Sequence, residues 1–159
     1  LDQDGYLFLP ALLERAPVLA ARERVLRSFD ERGGVLHAAH PRTDGVLAAR
    51  CGVGCVPFLE GCNELTHSPE VLHGVLEAAP LRAFFDRLFE EPARTFDFKW
   101  LRGVPKGAFT GAHMDWVYMG RGTRRLLTSW LPFGTNPETT RAQAEAGLKQ
   151  GKRVCFCVN

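Results

Sequence analysis

The sequence predicts an α+β domain, mainly β in its second half, with helices first as cover. Three observations carry this. Apolar residues recur at helical spacing through residues 17–29 and 69–89, the period falls to two after Pro92, and Gly and Pro mark the borders between these patterns. The chain has 159 residues, enough for one domain with a core or for part of a larger one.

Asp4-Gly5 followed by Tyr6-Leu7-Phe8-Leu9-Pro10 reads as a turn and a short strand. Pro17 opens a helix with Val18, Leu19, Arg22, Val25, Leu26 and Phe29 at helical spacing, and Gly33-Gly34 stops it. Residues 35–67 show no clear period and read as loops, with one short strand around Val53 to Leu59. At Ser68-Pro69-Glu70 a capping hydroxyl, a proline at the first helical position and an acid near the positive dipole end predict a helix start. Val71, Leu72, Val75 and Leu76 form its stripe, and Pro80 restarts or kinks it. Leu81, Phe84, Phe85, Leu88 and Phe89 then continue to Pro92.

Beyond Pro92, Phe96, Phe98 and Trp100 alternate with Asp97, Lys99 and Leu101, the pattern of a strand with one buried face. Gly103 to Gly111 reads as a loop. A second alternating run, Leu126 to Leu131, follows the turn Gly120-Arg121-Gly122. From Gly134 the pattern fades. Asn136-Pro137-Glu138 could cap a helix to Gln150, but Leu148 is its only large apolar residue, so it has no stripe to bury. The reading therefore divides the chain into residues 1–133 and a divergent, poorly packed tail, 134–159.

A net charge of +2 is too small to point to nucleic acid or an anionic membrane as partner, and no apolar run approaches a bilayer span. The N-terminus lacks the order of a secretory signal and an initiating Met, so a fragment, a processed product or an incomplete gene product is expected. The five cysteines, Cys51, Cys55, Cys62, Cys155 and Cys157, are an odd set that suits reduced thiols better than a disulfide framework. The ending has Phe156 where a prenylated Cys would stand, and no peroxisomal address closes it; a cytoplasmic location is the expectation.

Chemistry concentrates at His113 and Asp115. Alternate residues of a strand point to one side, so they can present an imidazole and a carboxylate together. With a further histidine from another strand they would fill one face of an octahedral ion, leaving the opposite face for a bidentate co-substrate and dioxygen. That donor set suits Fe(II) and tolerates Mn, Co, Ni or Zn. Taken alone, this spacing is more often a surface His–Asp pair. A rival zinc module would use Cys51, Cys55, Cys62 and His67, but their spacing matches no common finger. Gly52-Val53-Gly54 has too few glycines for a nucleotide fingerprint. Arg121, Arg124 and Arg125 would suit an anionic substrate such as a CoA ester, but a solvated turn is the favoured reading.

The run Phe98-Lys-Trp-Leu-Arg-Gly-Val-Pro-Lys-Gly-Ala-Phe-Thr-Gly-Ala-His-Met-Asp-Trp-Val-Tyr-Met-Gly-Arg-Gly-Thr123 resembles the phytanoyl-CoA dioxygenase family. So does the opening Asp4 to Pro10 with its following helix. The resemblance covers residues 1 to about 133; it is specific around His113 and diffuse between residues 35 and 92. It implies a double-stranded β-helix (jelly-roll), here incomplete, behind helical cover. It also implies an Fe(II)- and 2-oxoglutarate-dependent oxygenase that hydroxylates a small organic molecule. By position, His113 and Asp115 would be iron ligands, and Trp130, Tyr118 and Thr128 would lie beside 2-oxoglutarate. Lys99, on the strand before the site, would meet a carboxylate or solvent.

One departure from the family is plain. Its members continue with a Gly-Gly segment, a Gly-Ser-His element supplying the distal histidine, and a later basic residue for the co-substrate. Here Phe133-Gly134 leads into Thr135-Asn136-Pro137-Glu138-Thr139-Thr140-Arg141, and no histidine follows His113. His37, His40, His67 and His73 all lie upstream. Two donors hold a divalent ion less firmly than three. Residues 134–159 are accordingly expected to be a foreign ending. The alternative reading is a non-catalytic jelly-roll fragment that pairs with another chain.

Overall fold

The computed structural model describes residues 1, 3, 6–31, 36–48, 62–99, 101, 116–123, 125–133 and 154–158. The chain forms two compact units, Ala16–Thr110 and Leu1–Arg15 with Gly111–Asn159. No helix among the described residues is long and apolar enough to cross a membrane.

The first unit is helical. Helix α1 runs Arg15–Glu31 and buries Val18, Ala21, Val25, Leu26, Ser28 and Phe29, the i, i+3/i+4 face that the sequence marks. Each large apolar side chain so buried contributes about 1.5–3 kcal/mol. Leu19, expected on that face, is exposed. Arg22 turns its guanidinium to the next loop and donates to the carbonyls of Thr43 and Asp44 at 3.0 and 3.1 Å. Those carbonyls lie in the 3-10 turn Arg42–Asp44, closed by Gly45 at φ +66°. A Cβ on Gly45 would meet Arg22 Nη2 at 2.8 Å, so both the left-handed backbone and the guanidinium select glycine here. Around this turn the chain doubles back: His37 N–H donates to the Val46 carbonyl at 2.8 Å, and Leu36 bridges Leu47.

Helix α2, Cys62–Thr66, occupies part of the stretch expected to be loop. Leu65 and Thr66 are buried, two positions too few to show a period in the sequence. Ser68 holds the cap position of α3 (Pro69–Val71) without a capping bond; its hydroxyl donates instead to the Leu65 carbonyl at 2.8 Å, joining α2 to α3. The ladder then widens into a π turn over Leu72–Leu76, in which Glu77 N–H reaches the Leu72 carbonyl at 2.7 Å. Val71 and Val75 are fully buried. Helix α4, Ala79–Phe89, restarts with Pro80 in its first turn and ends at Glu90, φ +58°. Leu81 is buried, while Phe84, Phe85, Leu88 and Phe89 are half-covered. Phe85 stacks on Phe89 with centroids 6.0 Å apart.

Past α4 the chain folds back over it. Arg82 donates to the Ala93 carbonyl at 3.0 Å, and Ala93 N–H donates to Asp86 at 2.6 Å. The strand expected over 96–101 is not formed by the described residues Phe96–Lys99. Phe96 and Phe98 are 47% and 56% exposed, so the apolar alternation has no buried face. Lys99 Nζ donates to Thr95 Oγ1 at 3.1 Å and to the Phe96 carbonyl. In a strand, residues four apart stand about 13 Å from each other, beyond the reach of a lysine side chain. The segment is curled.

The second unit holds a three-stranded parallel sheet in the order β1 (Tyr6–Pro10), β3 (Val154–Val158), β2 (Thr128–Trp130). Tyr6 pairs with Val154 and Pro10 with Val158; Thr128 pairs with Val154 and Trp130 with Phe156. Thus β1 and β2 lie where the sequence expects strands. Val154–Val158, assigned by the sequence to the tail, takes the middle place. Its apolar, β-branched and aromatic composition suits a strand, and it was the missing helical stripe upstream that had set the whole tail apart. The remainder of that tail, 134–153, lies outside the described residues, as do the strands expected at 53–59 and around His113.

Two outcomes follow. Gly45→Ala should destabilise the protein by about 1–2 kcal/mol in urea unfolding, through φ strain and displacement of Arg22; an unchanged midpoint would dismiss that account. Glu77, hydrogen-bonded by Thr95 and Lys99, is held below its ordinary value. Its stabilisation is therefore complete above the unfolded carboxylate range and is lost as pH falls through the lower folded value. Glu77→Gln should flatten that acid limb of the stability–pH curve while lowering the neutral plateau.

Candidate functional site

The site expected from sequence divides between described and undescribed positions. His113 and Asp115 lie outside the described residues. The chain becomes described again at Trp116, where the short helix α5, Trp116–Met119, begins. The sequence expects extended chain just before this point and no helix. Val117 is exposed on α5 and Met119 half-buried; Tyr118 lies between them in the same helical turn.

Gly120 and Arg121 follow, and Gly122 takes φ +119°, a conformation that L side chains avoid. This is the glycine-bounded turn expected from the sequence. Arg121 and Arg125 are exposed beside it, and the Thr123 hydroxyl accepts the Arg125 N–H at 3.1 Å. Arg124 lies outside the described residues.

From this turn the chain enters β2. Thr128 and Trp130 are both half-buried, and as alternate residues of a strand they share one side of the sheet. Parallel pairing sets Thr128 level with Val154 and Trp130 level with Phe156. Ser129, between them, belongs to the opposite side, and its buried Oγ has no hydrogen-bond partner among the described residues. Of the expected co-substrate residues, then, the structure brings Thr128 and Trp130 together on β2 and sets Tyr118 on α5.

Lys99 meets a carboxylate, one belonging to the protein. Its Nζ lies 3.0 Å from Glu77 Oε1, with the Lys99 side chain only 13% exposed. Thr95 Oγ1 donates to the same carboxylate oxygen at 2.5 Å. Arg82 also lends its positive field to Glu77. Because Lys99 is engaged in this way, its charge is spent within the helical unit. Sequence reasoning found Lys99 but not Glu77, since nothing periodic relates the two positions.

Among the described residues no group of three or more His, Cys, Asp or Glu side chains is placed to hold a metal ion. His37, His40, His67 and His73 are all exposed. The rings of His37 and His40 meet edge-on with centroids 5.0 Å apart, and His37 Nδ1 accepts the Ala39 N–H at 3.2 Å. Of the residues for the alternative zinc module, Cys51 and Cys55 lie outside the described residues, Cys62 opens α2, and His67 sits 3.4 Å from Thr66 Oγ1.

Comparison with known proteins finds no match: no protein-family model, no curated protein and no solved structure.

Proposed function

We propose that this chain carries part of the iron site of an Fe(II)- and 2-oxoglutarate-dependent oxygenase of the phytanoyl-CoA dioxygenase type. The observation that carries the reading is the sequence from Phe98 to Thr123, with His113 and Asp115 spaced as ligands and Trp130 on the strand that follows. When bound, the iron supplies the chemistry by which dioxygen and 2-oxoglutarate hydroxylate a C–H bond, with succinate and carbon dioxide released.

The chain's own residues divide the work. His113 offers a neutral imidazole nitrogen and Asp115 a carboxylate charge, the hard and borderline donors that Fe(II) accepts. Both must be deprotonated to bind, so affinity falls with acidity. Trp130 offers an apolar wall and Thr128 a hydroxyl on the same side of β2, and both suit a small dicarboxylate's carbon chain and polar end. Tyr118 adds a second hydroxyl. The substrate class is a small organic molecule, selected by the loops around the site.

His113 and Asp115 are two donors, and a facial site uses a third. We therefore expect binding to exceed turnover. The same fact favours the second reading, in which these residues serve a non-catalytic fragment that pairs with another chain.

Anaerobic titration with Fe(II) and 2-oxoglutarate separates the two. A weak visible charge-transfer band that His113→Ala abolishes supports the oxygenase site. Absence of any band, with no succinate formed in air, supports the fragment. Asp115→Ala should lower Fe(II) affinity by at least about tenfold, the loss expected when one charged donor of a small set is removed.

A further inference from the structure

We propose that the loop 36–47 is a flap docked on α1 by two arginines reaching in opposite directions, and that ionic strength loosens it while α1 stays folded. The ends of the loop meet: Leu36 bridges Leu47, and His37 N–H donates to the Val46 carbonyl at 2.8 Å. Between them Pro41, Arg42, Thr43 and Asp44 are exposed, so burial does little to hold the middle. The 3-10 turn Arg42–Asp44 is three residues long, and so short a helical turn does not persist in water without outside contacts.

Those contacts come from both sides. Arg22 reaches from α1 and donates to the carbonyls of Thr43 and Asp44 at 3.0 and 3.1 Å, groups that a helical turn leaves without partners of its own at its end. Arg42 reaches back from the loop: its Nη2 lies 2.8 Å from Glu23 Oε1 and its Nη1 3.6 Å from Asp30 Oδ2. Glu23 and Asp30 are two helical turns apart on α1, on one stripe, so a single guanidinium spans them. Arg27, one turn along from Glu23, lies 3.6 Å from the same Glu23 oxygen. Glu23 therefore keeps a cation when the loop lifts, which lowers the cost of opening.

The two halves of this clasp respond differently to salt. The side chains of Arg42, Glu23 and Asp30 are 39%, 35% and 56% exposed, and each such surface pair changes an equilibrium by no more than about fivefold. In about 1 M salt the screening length is about 3 Å, comparable with the separations in these pairs, so their attraction is largely lost. Arg22 meets uncharged carbonyls, and Gly45 sits against Leu26, where an added Cβ would come within 3.2 Å of Leu26 Cδ2. Salt acts only weakly on that half. Ionic strength thus loosens the flap without releasing it, and the buried face of α1, with Val18, Ala21 and Val25, stays packed: a local opening of low free energy.

The test is amide hydrogen exchange of the whole chain, read by NMR in about 0.05 M and about 1 M NaCl. The reporters are the amides of Asp44 and Gly45, bonded at 3.0 Å to the carbonyls of Pro41 and Arg42. In the wild-type chain both should exchange about threefold faster in high salt, while the amides of Val25 and Leu26 in α1 keep their rates. Arg42→Gln, and Glu23→Gln combined with Asp30→Asn, should each give the faster exchange already in low salt and remove the response to salt. Three results overturn the proposal: salt-insensitive exchange in the wild-type chain, a salt response kept in either variant, or an acceleration that spreads equally to Val25 and Leu26. The wild-type salt series decides the matter even where a variant fails to fold.

Discussion

A missing amide hydrogen at Pro80 sets the layout of the helical unit. Proline cannot donate to the fourth residue before it, and its ring crowds that residue's carbonyl. The ladder that starts at Pro69 therefore cannot run through to Phe89. It widens at Leu72–Leu76, stops at Glu77, and restarts at Ala79, where Pro80 occupies a position whose N–H would be unused anyway. The break leaves Glu77 at a helix end, with its side chain available to the chain that returns after α4. Thr95 and Lys99 use that carboxylate. One covalent constraint thus leads, through a register change, to a carboxylate that fastens Thr95 and Lys99 of the returning segment.

The same constraint explains what was legible. Pro69 and Pro80 act through donors they lack, a local effect that a sequence displays directly, and both helix starts lie where they indicate. The face of α1 was legible because Val18, Val25 and Phe29 repeat at helical spacing. The 96–101 strand was misread for a related reason. Alternation of Phe96, Phe98 and Trp100 reports a possible face, but burial requires something to cover it, and Lys99 curls the chain back toward Thr95 and Phe96 instead. Gly45 was invisible because its need arises from the left-handed backbone, φ +66°, that closes the Arg42–Asp44 turn, and no repeat in the sequence marks that turn. For the candidate site, the strand bearing Thr128 and Trp130 was legible, while His113 and Asp115 lie outside the described residues. The partner of that strand was not, since Val154–Val158 follows a stretch with no apolar period.

That partner matters to the proposed chemistry. Side chains alternate across a strand, so a slip of one residue between β2 and β3 would exchange the side holding Thr128 and Trp130 with the side holding Ser129. Thr128 and Trp130 share a side by alternation alone; the pairing of Thr128 with Val154 and Trp130 with Phe156 sets which side of the sheet that is. The side of the sheet on which Thr128 and Trp130 stand consequently depends on their register with Val154–Val158. Whatever their side chains, Val154–Val158 supply the backbone edges with which β1 and β2 each pair.

Metal affinity and strand pairing then make separate demands. A sheet edge can be satisfied by almost any chain of strand-forming residues, because backbone donors and acceptors are common to all of them. A facial iron site cannot be completed so freely: it needs a third side-chain donor at one position, and generic backbone does not provide it. Substituting the end of such a domain would therefore preserve the sheet more readily than the reaction. The register of β2 against β3 is met by backbone alone, and a facial iron site of the kind proposed makes a demand on side chains that this pairing does not meet.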